Sequence, residues 1–154
     1  MFSKKENTMK QTKARRRVAV ARDALRQVQA KKMVATSGLY AQLGKDVPLN
    51  AINDGKEFQK FVKHVKCQVC ARGALFISTV RKEDSFAPGQ AFRGIARATI
   101  DTRLLGLFSS GQLEDIEDFF EGGGASIFPD DTGRLVAILK NIIKNKGTFV
   151  APKG

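Results

Sequence analysis

The sequence predicts a mostly α protein: a compact helical domain with a central apolar helix and a disordered basic N-terminal arm. Three observations predict it. Apolar residues recur at helical spacing in four substantial segments, and no run shows a clear period of two. The first 17 residues are rich in Lys and Arg and too poor in apolar residues to pack. The chain has 154 residues, 42% of them hydrophobic, which suits one domain with a real core. The expected organisation is a flexible basic arm over 1–17 and a single helical domain over 18–154.

The arm, MFSKKENTMKQTKARRR, holds seven bases against one acid and so carries half of the formal net charge of +12. It runs into VAVARDALRQVQAKKMVA. There Val18, Ala21, Leu25, Val28 and Met33 give one apolar face and good helix formers fill the rest, so a helix is expected over about 18–34. Its outer face continues the charge of the arm through Arg22, Arg26, Lys31 and Lys32. Ser37-Gly38 stops it. Leu39, Tyr40 and Leu43 suggest a short helical turn, and 44–53, with Pro48 inside, a loop.

The organising stretch runs from Asp54 to about Lys82. Asp54 and Glu57 fit a capping box. Phe58, Phe61, Val62, Val65 and Val69 recur at helical spacing. Cys70, Ala71, Ala74, Leu75, Phe76, Ile77 and Val80 then spread apolar character around most of the circumference, as a buried helix requires. The stretch reads as one long helix or as two with a break near Cys67. The small residues Cys67, Cys70, Ala71, Gly73 and Ala74 would let another helix approach closely, and Arg72 beside them calls for an acidic partner from 114–121.

A surface connection follows around Pro88-Gly89. QAFRGIARATI, 90–100, fits a helix weakly and is where an unforeseen strand is most to be expected; 101–108 reads as a short apolar turn. Ser109 with Gln112 forms a capping box, flanked by Phe108 and Leu113 at the staple positions. The helix they open, 110–121, buries Leu113, Ile116 and Phe119 or Phe120, and Gly122-Gly123-Gly124 ends it. Asp130 or Asp131 caps a last helix over about 132–145, with Leu135, Ile138, Leu139, Ile142 and Ile143 on its apolar stripe. Lys140, Lys144 and Lys146 gather at its C-terminal end, where the helix dipole favours them. Gly147 stops it, and Phe149 and Val150 are expected to lie on the core.

Charge bounds the function. A pI near 10.1 favours an anionic partner: nucleic acid, an anionic membrane or an acidic protein face. No segment is long and apolar enough for membrane insertion, and no secretory leader is read at the N-terminus. Two cysteines do not make a secreted disulfide scaffold, so a cytoplasmic protein is expected.

His64-x-x-Cys67-x-x-Cys70 offers soft-metal ligand types, but no further Cys or His exists to complete a zinc site. A redox C-x-x-C normally opens a helix after a strand, whereas here it reads as mid-helix. Two buried structural thiols are expected. Glu114, Asp115, Glu117, Asp118 and Glu121 read as a solvated acidic face or a dock for a basic segment. Ser109, Ser110 and Ser126 read as cap or loop residues, and the glycine triplet lacks the Lys–Ser/Thr pair of a phosphate loop. The chain is expected to be no enzyme and to need no cofactor or metal.

The functional expectation is therefore non-specific association with the DNA or RNA backbone. The contacts would come from Lys4, Lys5, Lys10, Lys13, Arg15, Arg16 and Arg17 of the arm and from Arg22 and Arg26. A basic stripe at i, i+4, i+7, Lys56, Lys60 and Lys63, would add to them. No zinc-finger spacing, helix-turn-helix or aromatic RNA-binding motif is read, so base-specific reading is not expected. The alternative is a structural or protein–protein interaction module with no catalytic activity, meeting an acidic protein surface.

Overall fold

Six α-helices and a small three-stranded sheet make up the described residues of the computed structural model, which are 2–38, 41–43, 54–64, 66–83 and 97–152. In chain order they are α1 (Phe2–Gln29), β1 (Met33–Ala35), β2 (Ala41–Leu43), α2 (Gly55–His64), β3 (Cys67–Val69) and α3 (Ala71–Glu83). After them come α4 (Arg97–Leu104), α5 (Ser110–Glu121), a 3-10 turn (Gly123–Ser126) and α6 (Asp131–Lys144). The mostly helical expectation holds. The expected loops at 44–53 and around Pro88-Gly89, and most of 90–100, lie outside the described residues; Arg97–Ile100 open α4.

The structure revises the local readings at several places. Residues 2–17, expected as a disordered arm, are the first half of α1. Composition argued that they cannot build a core. A helix anchored further along needs no core to continue, because propagation adds one hydrogen bond per residue fixed, and Lys, Gln, Arg and Met propagate well. The anchor is Val20, Ala21, Ala24 and Val28, all buried. The same helix ends at Gln29 rather than near 34, and Met33–Ala35 turn into a strand.

The 54–82 stretch follows the second of its two expected readings, two helices with a break near Cys67; the strand that fills the break was not expected. β3 lies between β1, to which it is parallel, and β2, to which it is antiparallel. Met33 pairs with Cys67 and Ala35 with Val69 on one side; Leu43 pairs with Cys67 and Ala41 with Val69 on the other. Leu43 is thus in a strand, not a helical turn. Cys67 and Val69 face the core and Gln68 faces out. Three residues are too few to show a period of two, and Val69 also fits the helical spacing of the preceding apolar residues.

The core gathers on α3, where Ala71–Val80 are all buried because α1, α2, α4 and α5 pack around it. Thr79 satisfies its hydroxyl by donating to the Leu75 carbonyl at 2.7 Å. Arg72, 6% exposed, is held between Asp101 at 2.7 Å and Glu117 at 2.6 Å, the latter the kind of partner expected from 114–121. α6 lies antiparallel on α1, since 14–22 meet its C-terminal end and 28–29 its N-terminal end. Ser109 caps α5 through the Gln112 N–H at 3.1 Å. The Gln112 side chain does not close the expected box: it donates to the Phe149 carbonyl at 2.9 Å and accepts the Phe149 N–H at 2.6 Å. Asn141 holds Val150 the same way. Phe149 is thereby buried on Phe119, while Val150 stays exposed.

Candidate nucleic-acid interface

α1 is amphipathic in a particular sense. Its inner face buries Val20, Ala21, Ala24 and Val28. Its outer face exposes Arg15, Arg22 and Arg26, spaced seven and four residues apart, which places them in line along the helix. The acid that would offset them, Asp23, turns inward: it is 3% exposed and accepts from Arg81 Nε at 2.9 Å and from Gln27 at 3.4 Å. Its pairing with Arg26, at 3.8 Å, is the loosest of these contacts.

Where α1 meets the end of α6 a groove of about 640 Å³ opens, lined by Ala14, Arg15, Val18, Ala19, Arg22, Ile143 and Lys146. Among the described residues its lining combines four apolar side chains with three cations and includes no acid. Lys140 and Lys144 are exposed on α6 close by in sequence. At the opposite end of the same seam a groove of about 430 Å³ has Val28, Met33, Val34 and Val136 on its walls and Lys31 and Lys66 on its rim. Asp130 and Asp131 stand at that end of α6. Both are engaged, Asp130 with the Gly133 N–H and Asp131 with Ser37 and Arg134.

Both helices of the seam end in the same motif. After α1, the Lys31 N–H returns to the Val28 carbonyl at 3.0 Å and the Lys32 N–H to Gln27 at 2.9 Å. After α6, the Lys146 N–H returns to Ile143 at 3.2 Å and the Gly147 N–H to Ile142 at 2.8 Å. These are Schellman closures, which satisfy the last carbonyls of a helix and put the residue after the C-cap in the left-handed region. Gly147, at φ +104, packs directly on the backbone of Ala14, and Arg17 donates from Nε to the Gly147 carbonyl at 2.8 Å and from Nη1 to Leu107 at 3.0 Å.

Of the expected contact residues, Lys13, Arg15, Arg22 and Arg26 are exposed along α1. Lys4, Lys5 and Lys10 belong to α1, with side chains outside the described residues. Arg16 and Arg17 are engaged within the molecule. Arg16 makes a two-pronged bond to Glu83, at 2.7 and 2.6 Å, and holds that carboxyl below its usual range; Arg17 closes the turn after α6. Lys56, Lys60 and Lys63 are exposed on α2, which packs on α3 rather than on the seam, and Lys60 lies 3.6 Å from Glu57. Only Lys63 approaches α1, across a small crevice shared with Gln27 and Lys32. The seam itself adds Lys31, Lys66 and Lys146, which were not among the expected contacts. No sequence signal marked them, because the left-handed position that Lys31 and Lys146 occupy is fixed only once each helix end is seen.

The remaining candidates do not converge. His64, Cys67 and Cys70 are split between the end of α2, β3 and the residue before α3, so they do not share a helix face. Cys70 alone stands between a strand and a helix; Cys67 opens β3, so the C-x-x-C spans the strand instead of sitting at a helix N-terminus. Both thiols are buried, and burial pushes each up to about 11, the opposite of an activated thiolate. Cys70 Sγ instead accepts the Gly73 N–H at 3.5 Å, as a weak helix cap. Among the described residues no group of three or more His, Cys, Asp or Glu is placed to hold a metal ion, and no helix is long and apolar enough to cross a membrane. Glu114 and Asp118 are exposed and line a cleft of about 490 Å³, Asp115 is exposed, Glu117 is spent on Arg72 and Glu121 accepts the Gly38 N–H. Compared with protein-family models, characterised proteins and solved structures, the chain matches none.

Proposed function

We propose that this protein is a small, non-catalytic accessory protein that associates with nucleic acid through the phosphate backbone and without reading sequence. One observation carries the reading: Arg15, Arg22 and Lys146 line a single groove that, among the described residues, no acid lines, while Asp23 of α1 is turned into the core. Backbone binding needs several such cations on one surface and little else. Among the described residues no row of exposed aromatic side chains of the kind used to stack bases is present: Phe58, Phe76, Phe108, Phe119, Phe120 and Phe149 are buried, and Phe61 and Phe128 are partly buried against the core.

The test is binding to a 20-base-pair duplex of arbitrary sequence across a salt series, with a single-stranded 20-mer in parallel. Arg15→Gln with Arg22→Gln should flatten the slope of log affinity against log salt by about 1.8 on duplex, from about 0.9 per phosphate contact. The thermal midpoint should not move, because both side chains are exposed. A parent protein that binds neither probe at low salt, or a variant that binds as the parent does, refutes the reading. An effect of residues before Lys13 is best tested by deleting 1–12. A deletion through Arg17 would also remove the bonds to Glu83, Leu107 and Gly147.

A further inference from the structure

Among the described residues, two that are not glycine have a positive φ, Lys31 at 63° and Lys146 at 57°. Both are lysines. Both occupy the left-handed position of a Schellman closure, one after α1 and one after α6. Because the two helices are antiparallel, the closures stand at opposite ends of one seam, and each lysine lines the groove at its own end. Glycine is the usual residue there, since a Cβ is disfavoured in the left-handed region. Attraction to the helix C-terminal dipole does not account for the choice. A lysine one or two positions earlier obtains that attraction with ordinary backbone, as Lys144 does. Unfavourable backbone retained at the rim of a groove is a pointer to ligand contact.

We infer that Lys31 and Lys146 are the two end contacts of a phosphate-binding surface, so that one nucleic-acid backbone runs along the α1–α6 seam from one groove to the other. The inference rests on the nucleic-acid reading above. Ala14 lines one groove and Gln29 the other. At about 1.5 Å per residue they are about 22 Å apart along α1. That is about six or seven base-pair steps at about 3.4 Å each, so a single duplex reaches both ends. Arg15, Arg22 and Arg26 stand on the outer face of α1 between the two lysines.

Glycine substitution separates binding from folding, because it removes the charge while suiting the backbone. Lys31→Gly and Lys146→Gly should keep a thermal midpoint at or above that of the parent. Each should weaken binding to the 20-base-pair duplex about tenfold at about 0.1 M salt, and the pair about a hundredfold, with the salt slope flatter by about 0.9 per lysine. Lys31→Arg and Lys146→Arg should restore both affinity and slope. If Arg15→Gln with Arg22→Gln weakens binding but the glycine variants bind like the parent, this inference fails and the broader reading stands. If the glycine variants lose thermal stability, the lysines serve the fold and the inference also fails. A parent that binds no nucleic acid overturns both.

Discussion

Gly147→Ala is the most informative stability test of how the long first helix is joined to the body. Gly147 has φ +104, and a Cβ there would stand 2.8 Å from the Ala14 carbonyl oxygen and 3.4 Å from both Ala14 Cα and Arg17 Nε. Three effects combine. Left-handed backbone with a side chain costs about 1–2 kcal/mol. Losing one alanine-for-glycine's worth of freedom in the unfolded chain returns about 0.4–1 kcal/mol. The 2.8 Å approach is to backbone, so α1 itself must shift, which strains the hydrogen bond from Arg17 to the Gly147 carbonyl, worth about 1.5–3 kcal/mol as a charged bond. The net loss is about 2–4 kcal/mol, and at about 2–4 °C per kcal/mol for a chain of this size a 3 kcal/mol loss lowers the midpoint by about 6–12 °C. Gly38→Ala is the control. Its φ is +82, but nothing lies within 4 Å of an added Cβ. Strain less the unfolded-state gain leaves it at about 0.5–1 kcal/mol. Urea unfolding followed by far-UV circular dichroism gives both values, and an unchanged m makes them comparable. Equal losses for the two variants, or a loss below about 1 kcal/mol for Gly147→Ala, would refute the claim that this turn is packed on α1.

Two further outcomes are expected. Arg72→Ala should cost about 3–5 kcal/mol in the same assay, because it leaves Asp101 and Glu117 without the buried cation between them; a loss under about 1 kcal/mol would contradict that geometry. Cys67 and Cys70 should label slowly with a thiol reagent at pH 8 in the folded state and quickly in denaturant. Because burial raises both thiols to about 11, the folded state holds their protons longer than the unfolded chain does. Their contribution to stability is therefore full below the unfolded value of about 8.5 and declines as pH rises from there towards 11. Fast labelling of the folded protein, or a Cys67→Ala/Cys70→Ala double variant with the same alkaline profile as the parent, would count against it.

Much of the helical content was legible because it depends on neighbours in sequence. Ser109 and Asp130 cap the helices that follow them, and Leu135, Ile138, Leu139 and Ile142 fall on the buried stripe that their spacing marks out. Arg72 could be matched to the acidic segment because a buried guanidinium must find carboxylates. The candidate site was legible only in part. Arg22 and Arg26 are outward by periodicity alone, whereas Arg15 joins their line only because α1 extends back through it. Arg16 and Arg17, indistinguishable from them by composition, are drawn inward by Glu83 and by the carbonyls of Leu107 and Gly147, all distant in sequence.

Sequence by itself determined the class of fold, the positions of most helices and the excess of positive charge, since propensity, capping and periodicity act over a few residues. Tertiary structure alone decided the three short strands, because Cys67–Val69 become a strand only when Met33–Ala35 and Ala41–Leu43 arrive on either side to take their backbone hydrogen bonds. It also decided that α1 extends back to Phe2 from an anchor packed on α3 and α6. And it decided which of the 27 basic residues face one another: Lys146 meets Arg15 and Arg22 across one groove only because α6 returns antiparallel along α1, and charge in a sequence carries no record of that approach.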